Sequence, residues 1–363
     1  MKHYLLKTTL RLLLTVVMVY LLPMTAWGQG RQPSGDGNSE GSAYQISERG
    51  HLEWMADQVE NGNTFEGKFF ELLRDIDLSD APWTTPIGTA PFYNNTSSPK
   101  YFAGVFDGDG HKITGLYIPE GATVRTQYLG LFGLIGHNNY SGSTIIIKNL
   151  CVEIAPDGIH MSPTPDNLNY PCFRTIGGIA GDAANCTIEN CYVTGGGIYC
   201  NANLYNGITL HMGGIAGRGQ NSIFKNCYAT VDIIFDNETV QRTDMTDGIS
   251  IAGIVGEAGG YGVTTEITNC YYSGKLTVRT SNNRDPNSLP WLIAGIAANA
   301  ENVTITNCLV LSQKIEEAIT PAPVGGNLLL KAIAAKGGSS STNFVSPQTT
   351  INGVAPGYDD AAN

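Results

Sequence analysis

Short bursts of alternating apolar and polar residues recur along most of this chain, and five of them share one phase. One slot holds Ile147, Ile188, Phe224, Ile267 and Ile305, always apolar, so it points inward. The next holds Lys148, Glu189, Lys225, Thr268 and Thr306 and points outward. Asn149, Asn190, Asn226, Asn269 and Asn307 follow, then Leu150, Cys191, Cys227, Cys270 and Cys308. That fourth slot accepts Leu and Cys alike, so it is buried. Strict alternation would turn Asn inward and Cys outward. The chain therefore turns a corner at Asn, a residue that tolerates the left-handed backbone, and its amide can bond to the Asn of the next copy. Past the corner, Cys151, Tyr192, Tyr228, Tyr271 and Leu309 face outward, and Val152, Val193, Ala229, Tyr272 and Val310 face inward.

A glycine-rich step precedes each burst: Phe132-Gly133-Leu134-Ile135-Gly136, Gly177-Gly178-Ile179-Ala180-Gly181, Gly213-Gly214-Ile215-Ala216-Gly217, Ala252-Gly253-Ile254-Val255-Gly256 and Ala294-Gly295-Ile296-Ala297-Ala298. Successive Asn residues lie 41, 36, 43 and 38 positions apart. A period in this range predicts a stacked architecture in which each unit buries its apolar face against its neighbours. The expected fold is an all-β, right-handed parallel β-solenoid, with repeats over 101–312 and a last rung and tail over 313–363.

The start of the chain reads differently. Lys2, Lys7 and Arg11 precede an apolar stretch, Leu12 to Leu22, too short to span a bilayer. With Ala26-Trp27-Gly28 as a small-residue cleavage site, residues 1–28 read as a secretory signal peptide. Residues 29–42, rich in Gly and Ser, read as a flexible linker. Within 43–100 one helix is predicted, capped by Ser47, carrying Leu52, Met55, Ala56 and Val59 on one face and stopped by Asn61-Gly62. Phe69 to Leu78 alternates like a strand. This segment reads as an N-terminal α/β cap, since an open solenoid end exposes core and unpaired backbone. Phe102 to His111 looks like a short opening rung, with Ile113-Thr114-Gly115-Leu116 in place of the later Ile-x-Asn-Cys step. Its Asp107-Gly108-Asp109-Gly110 lacks the further ligands of a calcium loop and reads as a tight turn.

Charge and cysteine count narrow the function classes. Without the signal segment the chain carries 18 basic against 32 acidic side chains, or −14, which repels phosphate backbones and argues against nucleic acid as partner. Gly at 44 residues and charged residues at 15% suit a turn-rich β protein. There are 8 Cys, but four share the buried slot, and stacked strands about 4.8 Å apart strain a disulfide that wants Cβ atoms about 3.8 Å apart. Those four are expected as reduced core thiols; Cys172 and Cys200 fall outside the slots and could pair. No His-Glu-x-x-His, Gly-x-Ser-x-Gly, phosphate loop or zinc spacing of cysteines occurs. Catalytic residues, metal ligands and cofactors are therefore expected to be none, although acids on different rungs could still meet across the stack.

Gly130-Leu131-Phe132-Gly133, Gly178-Ile179-Ala180-Gly181, Gly214-Ile215-Ala216-Gly217 and Gly253-Ile254-Val255-Gly256 resemble the GLUG motif; Gly133-Leu134-Ile135-Gly136 fits the first copy as well, and the fifth departs at Ala298. Together with Asp75-Ile76-Asp77-Leu78, Trp83, Pro86-Ile87-Gly88 and Phe106-Asp107-Gly108, the chain over residues 43–355 is similar to exported GLUG proteins of Bacteroidetes and to the non-catalytic region of bacterial IgA-specific metallopeptidases. The resemblance implies architecture and no catalytic residue, the peptidase zinc domain being absent from this sequence. The expected role is an exported (secreted, cell-surface or periplasmic) binding or adhesion module for a glycan or an extracellular host protein, with no stable membrane insertion. Alternatives are a polysaccharide lyase or hydrolase, or an accessory module akin to IgA peptidase N-terminal regions. Tyr192, Tyr228 and Tyr271, outward on consecutive rungs, are either covered by a long inter-repeat loop such as Asn201 to Asn206 or Asp236 to Asp247, or form an aromatic platform for sugar rings or an extended peptide; in the second case they are the candidate binding residues.

Overall fold

Every rung lays its slots directly over those of the rung below, because each strand pairs in parallel with its counterpart one repeat away. The computed structural model describes residues 30–352, except 90–97, 123–126, 139, 162–171, 201–207, 238–247, 260–261, 263, 281–290 and 320–327. Residues 1–28, expected to be a signal peptide, and the end of the tail lie outside those residues, as does the side chain of Cys172 and with it the test of whether Cys172 pairs with Cys200. Four parallel sheets wrap one core: a nine-stranded sheet, a thirteen-stranded long sheet, and two six-stranded sheets. One complete turn runs through Cys172–Gly177 and Ala180–Ala184 in the two six-stranded sheets, Cys186–Glu189 in the nine-stranded sheet, then Tyr192–Gly195 and Gly197–Cys200 in the long sheet. This is the expected parallel β-solenoid.

The slots fall where the alternation places them. Phe106, Ile147, Ile188, Phe224, Ile267 and Ile305 stack in register with no solvent exposure. Asn149, Asn190, Asn226, Asn269 and Asn307 all adopt φ between 53° and 55°, the left-handed corner. Their amides form a ladder: Asn190 Nδ2 donates to Asn149 Oδ1 at 3.1 Å, Asn226 to Asn190 at 2.9 Å and Asn269 to Asn226 at 3.0 Å. Asp107 ends the ladder by accepting from Asn149 Nδ2 at 2.9 Å. A second left-handed corner, not read from the sequence, returns the chain to the nine-stranded sheet at Gly136, Asn185, Asn221 and Asn302. There Asn221 Nδ2 donates to Asn185 Oδ1.

Leu150, Cys191, Cys227, Cys270 and Cys308 are buried at 0–1% exposure, and the four cysteines are reduced. Each thiol donates to backbone carbonyls, as Cys227 does to Lys225 O at 3.3 Å and Ile188 O at 3.4 Å. Burial pushes the Cys191 and Cys270 thiols well above their usual range.

The glycine step is where the two six-stranded sheets fold against each other. A Cβ on Gly178 would sit 2.4 Å from the Val193 side chain across the core, and one on Gly181 would sit 2.7 Å from Leu129 N. Both positions need the absent side chain for close backbone approach. Register also separates the two frames of the first copy. Phe132 pairs with Ala180 and Leu134 with Asp182, so Gly133 stands over Gly181 and this step begins at Gly130. The alignment of Gly133 with Gly178 is thus three residues out; overlapping Gly-x-x-Gly frames are indistinguishable without the pairing.

The N-terminal region carries the expected helix, α1, at Arg49–Glu60, with His51, Leu52, Met55, Ala56 and Val59 buried. Its N-cap is Glu48, not Ser47, whose backbone N–H instead donates to His51 Nδ1 at 3.1 Å. Phe69–Leu72 and Ile76–Asp77 are two strands in different sheets rather than one, because the chain turns a solenoid corner between them. Residues 30–42 are not a free linker here: Ser34 bridges Gln45, Arg31 N donates to Gly50 O at 2.8 Å, and Lys68 Nζ reaches Asp36 O at 3.3 Å. Val105-Phe106-Asp107 pairs with Ile146-Ile147-Lys148, so it takes the place assigned to Ile113-Thr114-Gly115-Leu116, and Ile113 lies past the corner against Val152. Asp107 to Gly110 is the expected tight turn, with Asp109 N donating to Asp107 Oδ1 at 2.9 Å. Leu328–Lys331 opens the expected last rung, which continues through Ser339–Ser341 in the nine-stranded sheet.

Two stability outcomes follow from the corner and the thiol column. Asn226→Gly, which keeps the left-handed backbone and loses the amide, should cost about 0.5–1.5 kcal/mol. Asn226→Leu should cost about 1–2 kcal/mol more, through left-handed strain, while Lys225→Ala stays near neutral; equal melting temperatures for Asn226→Leu and Lys225→Ala would remove the corner from its role. Cys227→Ala should cost about 1–2 kcal/mol, the low end of core truncations, and mass mapping should find Cys191, Cys227, Cys270 and Cys308 as thiols in the native protein.

Candidate functional site

Two surfaces gather chemistry on this scaffold. The first is the outer face of the long sheet, just past the Asn corner. Pairing stacks Cys151, Tyr192, Tyr228, Tyr271, Leu309 and Phe344 in one column. The Tyr192 and Tyr228 rings lie 4.7 Å apart at 8°, and Tyr228 and Tyr271 4.6 Å apart at 7°. The three tyrosines are half-buried. Burial raises the phenol of Tyr192 to about 12, with its hydrogen bond to Cys151 adding to the shift. Burial also raises Tyr228 and Tyr271.

The structure thus brings together all three residues read from the sequence, in an arrangement the alternation does not specify. Each ring covers its neighbour's face, so the middle ring offers an edge and a hydroxyl rather than a flat platform. Phe344, 67% exposed, prolongs the column at the C-terminal end. Beside it the long sheet bends at Ser273-Gly274-Lys275, leaving a groove of about 650 Å³ lined by Asp232, Ser273, Lys275, Leu311, Lys314 and Gln348. Glu316 lies between two cations near this groove, 3.2 Å from Lys275 Nζ and 3.1 Å from Lys314 Nζ.

The second surface is a cleft of about 230 Å³ between the two six-stranded sheets. One slot, which follows the last glycine of the step in the first four copies and an alanine in the next two, forms a column here: Leu134, Asp182, Arg218, Glu257, Asn299 and Lys336. Facing it from the other sheet is the column Tyr128, Thr175, His211, Ser250 and Leu292. Arg218 Nε stands 3.3 Å from Asp182 Oδ2. Glu257 accepts from Asn299 Nδ2 at 2.9 Å and from Ser250 Oγ at 3.2 Å, and His211 Nδ1 lies 3.7 Å away.

Burial raises the Glu257 carboxyl to about 7 despite those hydrogen bonds. Burial, with the nearby Arg218 charge, lowers His211 to about 3, so its approach to Glu257 is not an ion pair at neutral pH. Asp182 is also raised by burial, against the pull of Arg218. Sequence reasoning missed this cluster because it followed the Asn burst; the legible signal was the alternating charge of Asp182, Arg218 and Glu257 behind successive glycine steps. Among the described residues no group of His, Cys, Asp and Glu is arranged to hold a metal ion, and no helix is long and apolar enough to cross a membrane.

No family model matches the chain. It is 27% identical to Halomucin of Haloquadratum walsbyi over 165 residues, 45% of this chain and 2% of that protein. It is 34% identical to a candidate Gly-rich membrane protein of Evansella cellulosilytica over 116 residues, 32% of this chain and 11% of that protein. The chain thus spans a small fraction of both curated relatives. Among solved structures, a candidate immunoglobulin A1 protease from Bacteroides ovatus is similar at 18% identity and a TM-score of 0.46, over 86% of this chain and 88% of that one.

The cleft generates a pH dependence of known sign. Glu257 keeps its proton in the folded state up to about 7, whereas its ordinary value is 4.5. The unfolded chain therefore releases a proton first, and stability falls as pH rises from 4.5 through 7. His211, at about 3 against an ordinary 6.5, acts oppositely: stability falls as pH drops below 6.5. Urea melts should show Glu257→Gln gaining on the order of 2–3 kcal/mol relative to the native chain above pH 7, with the gain fading toward pH 4.5. A gain independent of pH would contradict the burial of an ionisable carboxyl there.

Proposed function

We propose that this chain is an exported, non-catalytic binding module that recognises an extended glycan or protein segment on the outer face of its long sheet. The observation that carries this reading is the column of three stacked, half-buried tyrosines running into Leu309 and exposed Phe344, beside an open groove. An uncharged aromatic strip with a regular repeat suits an elongated ligand lying along the solenoid axis. Ring edges supply apolar contact and the hydroxyls supply hydrogen bonds at low entropy cost. Exposed Leu311 and the Lys275–Glu316–Lys314 group would border the ligand on the groove side. Net charge adds that the ligand is not a nucleic acid.

The enzymatic alternative, a polysaccharide hydrolase or lyase, is favoured by one observation: a carboxyl held near 7 in a cleft beside Arg218. Release of reducing or unsaturated ends from a polysaccharide panel, abolished by Glu257→Gln, would move the reading to that side.

The binding reading is tested on glycan and extracellular-protein arrays with the chain from residue 29 onward. A ligand found there should lose about three- to tenfold in affinity with each of Tyr192→Ala, Tyr228→Ala and Tyr271→Ala, with the circular dichroism of the fold retained. A ligand held equally well by the triple variant, or arrays with no ligand, would sink it.

A further inference from the structure

The charged cleft between the two six-stranded sheets has no counterpart at the first rung of its own columns. At the first rung Tyr128 and Leu134 pack together, whereas at the far end Leu292 faces Asn299 and Lys336. The fold therefore accepts apolar side chains in these slots at the first rung. In the middle rungs the same slots hold Asp182, Arg218 and Glu257, with His211 and Ser250 opposite, all largely buried. Burying charged groups rather than apolar ones of similar volume rarely adds stability. Asp182, 3% exposed, sits one rung beyond the cleft lining and holds Arg218 at 3.3 Å. A space of about 230 Å³ opens directly against this cluster.

We propose that this cleft is a second binding site, distinct from the tyrosine column, for one uncharged polyhydroxylated molecule of monosaccharide size. Volume sets the size: about 230 Å³ lies below the range of drug-sized pockets, about 300–1,000 Å³. Charge bookkeeping sets the class. Arg218 lies against Asp182, and Lys336 Nζ lies 2.8 Å from Glu301 Oε1, so neither cation is left over to hold an anion. The wall offers paired donors and acceptors instead. Asn299 and Gln220 present amides, Ser250 and Thr209 hydroxyls, and Glu257 a carboxyl, with Leu292 as an apolar patch. Closely spaced hydroxyls of both hydrogen-bonding senses match that wall, and a ring C–H face matches the leucine. A carboxyl titrating near neutrality can serve as acceptor or donor to the same hydroxyl.

The test uses ligand-observed saturation-transfer NMR on the chain from residue 29 onward, with glucose, galactose, mannose and N-acetylglucosamine as millimolar probes. At least one should bind saturably, with a millimolar dissociation constant, both in the native sequence and in Tyr228→Ala. Glu257→Leu, which copies the Leu134 of the first rung, should weaken it by about tenfold or more, and Ser250→Val should weaken it as a second, smaller change. Circular dichroism establishes that each variant is folded. No saturable binding by any probe overturns the proposal, and so does binding indifferent to both cleft variants. Loss in Tyr228→Ala with retention in Glu257→Leu would overturn it by assigning the sugar to the tyrosine column.

Discussion

The left-handed corner at Asn is the constraint on which the rest of this molecule depends. A strand alternates its side chains, so a straight continuation past Ile188 and Glu189 would turn Cys191 to solvent and Tyr192 to the core. One residue at φ near 53° resets that phase. The amide ladder then ties each corner to the one below, so an error at one rung would be felt by its neighbours on both sides. Both the thiol column inside and the tyrosine column outside are products of that single reset, repeated in register.

Much of the architecture was legible because stacking makes every slot report five times. Ile147 alone says little; with Ile188, Phe224, Ile267 and Ile305 over it, the inward direction is unambiguous. Legibility failed where copies were few or overlapped. Glycine frames three residues apart hid the true start of the first step at Gly130, and the opening rung was displaced because Asp107 and Gly108 stand in for the usual Lys-Asn pair. Residues 30–42 read as linker from composition, yet their backbone groups find partners on the cap, which composition does not report.

The two candidate surfaces differ in how far the sequence exposes them. The tyrosines share a chemistry, so their column is visible at once, although the face-to-face packing that hides their flat sides is not. The cleft column mixes Leu, Asp, Arg, Glu, Asn and Lys, so no residue type repeats and the eye passes over it. Only the pairing of Asp182 with Arg218 and of Arg218 with Glu257 shows that one slot accumulates charge across rungs. In a repeat protein, the slot that refuses a consensus is the one freed from the fold's own demands.

If the chain is exported as proposed, its buried thiols set an order of events in an oxidising compartment. Cys191, Cys227, Cys270 and Cys308 are inert once stacked, since the core shields them and holds the thiol form. Before stacking they are ordinary exposed thiols on a flexible chain, and any bridge among them would lock rungs out of register. On that route winding must outrun oxidation of these four thiols. A nascent chain folding rung upon rung would withdraw one thiol from reach with each turn completed.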